Sequence, residues 1–215
     1  MKKLVSIICF CLGSVVSFAQ NEIGVMIGAA RPTGRPANVD YLSSSASGFS
    51  YSRRIGLADN IAIKTGLMIY SNTYVMDGMF TDTGGMRRFA LTPGTYKQTT
   101  LTTANIMLPL MGSFRLLDNG KGSRMDFNIG GYFDYLLTAK QKHKVGTAHI
   151  QDKATVDNRL NGGLGYEMVF AFGSKIKIIE SVLFSMGVYY QVTEYLDDGK
   201  SFKPLMSCLQ VGFAF

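Results

Sequence analysis

Apolar side chains recur at every second residue along much of this chain, in short segments separated by turn-forming residues. The last segment shows the pattern clearly: from Leu205 every second residue except Ser207 is apolar, and Phe215 ends it. A two-residue period is that of an extended strand with one apolar face and one small or polar face. After residue 19 we find no convincing helical pattern, so the sequence predicts an all-β fold.

The alternation predicts eight strands, with connections of two kinds. The strands cover Asn21–Ala30, Gly48–Leu57, Ile61–Tyr74, Leu101–Leu116, Ser123–Leu137, Asn158–Phe172, Ile176–Val192 and Lys203–Phe215. Three connections are short and rich in Gly, Asn, Asp or Ser, as hairpin turns are: Ala58–Asn60, Asp118–Gly122 and Gly173–Lys175. Four are long, and they alternate strictly with the short ones: Arg31–Ser47, Val75–Thr100, Thr138–Asp157 and Thr193–Phe202.

Alternating short and long connections are typical of bacterial outer-membrane barrels, which place short turns in the periplasm and long loops outside. Aromatic residues fall near both strand ends, as two girdles around an aliphatic band require. Those near the periplasmic rim are Phe114, Phe127, Phe170, Phe172, Phe213 and Phe215, and those near the outer rim are Phe49, Tyr51, Phe133, Tyr135 and Tyr190. We therefore predict an eight-stranded antiparallel up-and-down transmembrane β-barrel. A soluble periplasmic barrel resembling a lipocalin has the same period with reversed faces and stays open as an alternative.

The N-terminus predicts export to the outer membrane. Two lysines precede Leu4–Val16, an apolar stretch too short to span a bilayer as a helix. Small residues at Ser17 and Ala19 predict cleavage after Ala19, which removes a signal peptide of residues 1–19 and leaves one barrel domain, 20–215.

The composition argues against a nucleic-acid partner and against a disulfide-bonded fold. No basic run interleaves with aromatic residues as a nucleic-acid groove would require, although the formal net charge is +7. Cys208 is the single cysteine after the predicted cleavage site, so no intramolecular disulfide is expected. The expected partners are outer-membrane lipid and lipopolysaccharide, another envelope protein, and the barrel-insertion machinery, for which Phe213 and Phe215 would be the insertion signal.

Strand parity places a set of charged side chains of mixed sign on the inward face, where we expect a network of ion pairs. Its members are Glu22, Arg54, Lys64, Arg115, Arg124, Asp126, Asp134 and Glu167. Eight strands enclose an interior just wide enough for side chains, so paired charges should fill it and an open channel is disfavoured. By the same parity Arg53 and Glu180 face lipid. We expect a bulge to turn Arg53 inward, another at Pro109, and a position near the periplasmic rim for Glu180.

Two histidines, His143 and His149, lie among lysines in the third long connection, and their spacing matches no zinc motif. We expect no catalytic residue, no metal and no cofactor. The second long connection, with its segment Gly84–Arg88, lacks the pattern of a phosphate loop and is the best candidate for a partner site. An enzyme acting on outer-membrane lipid through a histidine, and a small conduit, stay open as alternatives.

Two short segments carry a family resemblance. Ala104–Met111 resembles the fourth-strand Ile-Pro-Leu-like segment of PorT-type outer-membrane β-barrel proteins, and Gly163–Glu167 resembles their Gly-x-Gly-x-Glu sixth strand. The predicted signal end and Phe215 also resemble these Bacteroidetes-type proteins. The resemblance implies a barrel without known catalysis, whose namesake takes part in type IX secretion. We accordingly expect a non-enzymatic binding or assembly module, an accessory of protein secretion or of surface-structure assembly.

Overall fold

The computed structural model describes residues 19–32, 40–77, 79–83, 86–90, 98–145, 148–153, 160–185 and 204–215. Within these ranges the strands are β1 (Ala19–Pro32), β2 (Asp40–Ala58), β3 (Ile61–Asp77), β4 (Met79–Thr83), β5 (Met86–Ala90), β6 (Gln98–Asp118), β7 (Arg124–Val145), β8 (Ala148–Lys153), β9 (Leu160–Phe172), β10 (Ile176–Ser185) and β11 (Pro204–Ala214). No helix in the described ranges is long and apolar enough to cross a membrane. The predicted signal peptide lies almost entirely outside them and stays a prediction.

Eight of these strands close into one antiparallel barrel. Their order around the ring is β1, β2, β3, β6, β7, β9, β10 and β11, and β11 pairs again with β1. The short strands β4 and β5 pair with each other, and β8 extends the sheet beside the upper part of β7. The predicted eight-stranded up-and-down barrel is therefore confirmed.

The short turns and both ends of the barrel chain meet at one rim. The backbone N–H of Asn21 donates to Phe215 O at 3.2 Å, and the N–H of Phe215 donates to Asn21 O at 2.9 Å. The N–H of Ala214 donates to Lys175 O, in the turn between β9 and β10. Between β6 and β7, Gly120 and Gly122 take φ angles of 67° and 89°, which glycine adopts without steric cost. The predicted turn positions thus share one end of the barrel.

The two faces of the barrel wall are reversed relative to a soluble protein. Large apolar side chains such as Val25 (53% exposed), Leu164 (52%) and Val211 (55%) stand on the outer surface around the ring. Many polar and charged side chains are buried inside. A continuous exposed apolar belt of this kind suits a lipid surrounding and not water. This arrangement argues against the lipocalin-like alternative.

Five strands run further than predicted. β1 covers Ala19–Pro32, β2 begins at Asp40, β3 ends at Asp77, β6 begins at Gln98 and β7 ends at Val145. The connections predicted as Arg31–Ser47, Val75–Thr100 and Thr138–Asp157 were therefore too long, while Thr193–Phe202 lies outside the described residues. The longest extensions, those of β2 and β7, were missed because their Ser, Thr and Lys residues interrupt the apolar period, although backbone pairing continues through them.

The predicted bulges at Arg53 and Pro109 are wrong. Arg53 stays in unbroken register between Asn21 and Thr65 and keeps its outward parity. Pro109 is buried and lies opposite Tyr132. The pairing of β3 with β6 is interrupted beside Pro109 because proline has no N–H donor, but it resumes in the same register, so no bulge forms. Register shifts occur elsewhere, within 41–43 and 56–58 of β2, and at 104–105 and 115–117 of β6.

Candidate functional site

Three arginines converge on one carboxylate inside the turn-bearing end of the barrel. Arg124 Nε lies 2.9 Å from Asp126 Oδ2, while Arg54 Nη2 and Arg115 Nε each lie 3.7 Å from Asp126 Oδ1. Asp126 is buried, and the strand parity of β2, β6 and β7 directs all four side chains to this point. Arg115 also contacts Asp118 at the rim, at 3.0 Å. The predicted inward charges of these strands therefore do come together.

A second group beside it includes two residues that sequence reasoning missed. Lys177 Nζ lies 2.7 Å from Glu22 Oε2 and donates to Gln20 Oε1 at 3.2 Å. Arg124 Nη2 donates to the same Gln20 oxygen at 2.8 Å, which joins this group to the first. The sequence signal for Lys177 was available, because its parity on β10 is opposite to that of the outward Glu180.

A buried ion pair lies next to these two groups in the lumen. Lys64 Nζ lies 2.6 Å from Glu167 Oε2, and Asn128 Nδ2 donates to the same oxygen at 2.8 Å. Lys64 is 5% exposed and Glu167 is 3% exposed. At such depth the two charges compensate each other, because either one alone would be very costly to bury.

Higher in the lumen, Asp134 accepts hydrogen bonds from two side chains. Tyr70 Oη donates to Asp134 Oδ2 at 2.8 Å, and Asn105 Nδ2 donates to the same oxygen at 3.1 Å. All eight predicted inward charges thus lie on the lumen side, at several heights. The arrangement holds cations and anions in contact and leaves no aligned row of one sign across the described lumen.

Apolar side chains fill the half of the lumen away from the turns. They form one buried cluster, whose larger members are Met26, Met68, Tyr70, Tyr74, Met107, Met111, Tyr132, Leu136, Leu183 and Met206. Methionine packs well in irregular spaces because its side chain is unbranched and flexible. The described lumen is therefore occupied by charge pairs near the turns and, further away, by apolar side chains together with buried Asp134 and its polar neighbours.

Two residues of the Gly163–Glu167 segment, which carried part of the family resemblance, contact other side chains inside the barrel. A side chain at Gly163 would overlap the Tyr132 ring, so glycine makes room there for Tyr132 inside the barrel. Glu167, which ends the same motif, is the partner of Lys64. These two positions therefore help to build the interior of the barrel.

On the outer face, Tyr51 differs from expectation, whereas Glu180 faces lipid as its parity predicted. Tyr51 was predicted at the outer rim, but its hydroxyl donates to Asn21 Oδ1 at 3.0 Å, and Asn21 belongs to the turn-bearing rim. Glu180 is exposed on the lipid side, in register between Met168 and Leu209. At the turn-bearing rim, Lys175 Nζ stands 5.9 Å from the centre of the exposed Phe213 ring. Tyr190 lies outside the described residues.

The two histidines lie in strands and not in a loop. His143 of β7 is opposite Ile150, and His149 of β8 is opposite Lys144, so the two occupy adjacent positions in the backbone register. Among the described residues, no group of three or more His, Cys, Asp or Glu could hold a metal ion.

Comparison with known proteins agrees with this architecture. Residues 17–195 match the model of the family described as outer membrane protein beta-barrel domain, and the chain belongs to this family. It is thus an outer-membrane β-barrel protein. No match was found among curated proteins.

Several solved outer-membrane proteins are similar at low identity. Ail, the attachment invasion locus protein of Yersinia pestis, is 12% identical with a TM-score of 0.37, covering 92% of this chain and 97% of Ail. OprG from Pseudomonas aeruginosa is 8% identical with a TM-score of 0.47, covering 92% and 95%. Neisserial surface protein A is 11% identical with a TM-score of 0.37, covering 92% and 97%.

Proposed function

We propose that this protein is a non-enzymatic binding or assembly module that contacts its partner on the outer side of the membrane. The observation that carries the proposal is strand length. Crossing a bilayer takes about 9–11 residues of tilted strand, yet β6 has 21 residues and β7 has 22. Because β6 and β7 turn tightly at the periplasmic rim, their surplus length projects from the opposite rim.

The described part of this projection is a wall formed by four strands. β2 and β3, with 19 and 17 residues, extend together with β6 and β7. The β4–β5 hairpin follows β3 in the chain. A sheet that continues so far beyond the lipid provides a surface for another molecule and has no role in crossing the membrane.

The outer face of the wall is basic where it leaves the membrane. Along β7, exposed Phe133 and Tyr135 are followed by exposed Lys140, Lys142 and Lys144. The register shift opposite Ala104 changes the parity of β7 between Leu136 and Thr138, so the three lysines form one stripe on the same face as the two aromatic residues. This stripe suits the phosphate groups of lipopolysaccharide, the lipid partner we propose for this face.

The filled lumen favours this proposal over the conduit alternative. Solute would have to pass the Asp126 group, the Lys64–Glu167 pair and the buried Met and Tyr side chains in turn. The enzyme alternative rests on His143 and His149, whose backbones occupy adjacent positions in the β7–β8 ladder. More specifically, we propose a PorT-like role as a secretion accessory. Its support is the resemblance of the two short segments, Ala104–Met111 and Gly163–Glu167.

The test removes the hairpin region and keeps the barrel. Asp77 and Gln98 are opposite each other in the β3–β6 register, so residues 78–97 can be replaced by an Asn-Gly turn that closes the same ladder. The matched control replaces residues 119–123 with Asn-Gly between the paired Asp118 and Arg124, on the opposite rim.

Secreted proteins, surface proteins and lipid A are then compared among wild-type, deletion and variant strains. We expect the gene deletion and the 78–97 replacement to lose the same set of secreted or surface proteins, and the 119–123 control to retain it. Altered lipid A would support the enzyme alternative instead. A 78–97 replacement that behaves as wild type while the deletion does not would contradict a role for this region.

A further inference from the structure

A positive charge lies on the lipid-facing side of the barrel close to the periplasmic rim. Arg53 has outward parity on β2, in register between Asn21 of β1 and Thr65 of β3. The backbone bonds between Asn21 and Phe215 place this row near the rim. Within the described part of the chain, Arg53 Nε is buried and has no hydrogen-bond partner. The cost of an outward arginine falls towards the membrane interface, where lipid phosphate groups are within reach of the guanidinium.

An apolar groove opens directly above this row. Its volume is about 570 Å³, and its walls include Ile23, Val25, Phe49, Tyr51, Leu67 and Val211. Ile23, Tyr51 and Leu67 are mutual register partners, one outward position further from the rim than Asn21, Arg53 and Thr65. The hydrogen bond from Tyr51 Oη to Asn21 Oδ1 marks the boundary between the polar row and the apolar groove.

We propose that Arg53 and this groove form a binding site for one phospholipid of the periplasmic leaflet. The phosphate binds the guanidinium, whose planar set of donors matches phosphate oxygens, and an acyl chain lies along the groove. Ligand sites of comparable size, about 300–1,000 Å³, are lined mainly by apolar side chains with few polar groups. The site faces the periplasmic leaflet because short turns lie on that side, so lipopolysaccharide of the outer leaflet is not its ligand.

The site is separate from the outer wall of the proposed function, and the barrel offers a matched control charge. Glu180 also faces lipid, on β10, between the apolar neighbours Met168 and Leu209. It is an outward charge of the opposite sign that lies outside the groove. Replacing it changes the charge of the lipid-facing surface without touching Arg53.

The test uses the absence of tryptophan from the chain, which makes any introduced tryptophan the sole reporter. Ile69→Trp places it in the groove wall, and Leu164→Trp places it on the exposed face of β9, away from the groove. Each full mature chain is studied in neutral maltoside micelles. Brominated phosphatidylglycerol is titrated as the quencher, and brominated diacylglycerol is titrated as the matched lipid without phosphate.

We expect phosphatidylglycerol to quench the Ile69→Trp protein at about tenfold lower concentration than the Leu164→Trp protein. Diacylglycerol should show no such difference. Adding Arg53→Leu should remove the difference, whereas Glu180→Gln should leave it. Arg53→Leu presents an apolar side chain to lipid, so the barrel should still fold.

Equal quenching at the two positions, or a difference that survives Arg53→Leu, would overturn the site. If diacylglycerol produced the same difference in quenching between the two positions, the groove would bind apolar chains without recognising phosphate. That result would also overturn the proposed site. Fluorescence that depends on protein concentration and not on lipid would mean that a second copy covers the groove, which would replace the lipid as its occupant.

Discussion

Replacing Glu167 with glutamine should destabilise the barrel strongly without opening it. The substitution keeps the shape of the side chain but removes the negative charge 2.6 Å from Lys64 Nζ. Lys64 then remains as a buried cation, and Asn128 loses a charged acceptor for its hydrogen bond.

The expected cost follows from the burial of both partners. Lys64 and Glu167 are at most 5% exposed, so water cannot replace the lost charge without rearrangement. Removing one partner of a buried ion pair typically costs about 3–5 kcal/mol, since the other charge is left uncompensated. The double variant Lys64→Met with Glu167→Leu removes both charges and should recover most of this loss, because apolar replacement of a buried pair is often neutral or stabilising.

The assay is urea unfolding of the mature barrel in lipid vesicles, followed by the difference in gel migration between unheated and boiled samples. The control is Asp118→Asn, which weakens the contact to Arg115 at the partly exposed rim, where an ion pair contributes about 0–1 kcal/mol. A loss below about 1 kcal/mol for Glu167→Gln, equal to the control, would refute the argument that the pair is sealed from water.

Three further predictions concern orientation, insertion and the basic stripe. In a Cys208→Ser background, an impermeant thiol reagent should label a cysteine at Gly84 on intact cells and should not label one at Asn119; the reverse labelling would invert the barrel. Deleting Phe215 should lower the amount of barrel in the outer membrane while the purified protein still refolds in detergent, because the exposed rim residue contributes little burial; unchanged cellular amounts would remove its role as insertion signal. Changing the three lysines of residues 140–144 to glutamine should weaken retention of lipopolysaccharide in a salt-dependent manner without lowering barrel stability; unchanged retention would exclude this stripe as the contact.

The barrel itself could be predicted because its constraints are local and repeated. Alternating side chains define the faces of each strand, and Gly, Asn and Asp mark the tight turns at Asn60, Gly120 and Gly173. Once the short connections share one rim, antiparallel neighbours and closure follow for eight strands. The inward charges followed from the same parity, which is why Lys64 and Glu167 could be placed on the lumen side.

The remaining features depend on contacts that no local pattern encodes. The extensions of β2 and β7 are mostly polar, so only pairing with a neighbouring strand reveals them. We predicted a bulge at Arg53 because a charged side chain facing lipid costs free energy. The register of β2 is nevertheless unbroken there, and Arg53 keeps its outward position. Tyr51 was assigned to the wrong end because the stagger between strands brings it beside Asn21, and stagger cannot be derived from one strand alone.

Single-channel recording from the unmutated mature barrel in planar bilayers tests the central claim most directly. A lumen filled by the Asp126 group, the Lys64–Glu167 pair and the buried Met and Tyr cluster predicts no large, stable conductance. Glu167→Gln should lower stability without creating such a conductance. A large and stable open level in the unmutated protein would contradict the filled lumen, and it would make the conduit the better account of this barrel.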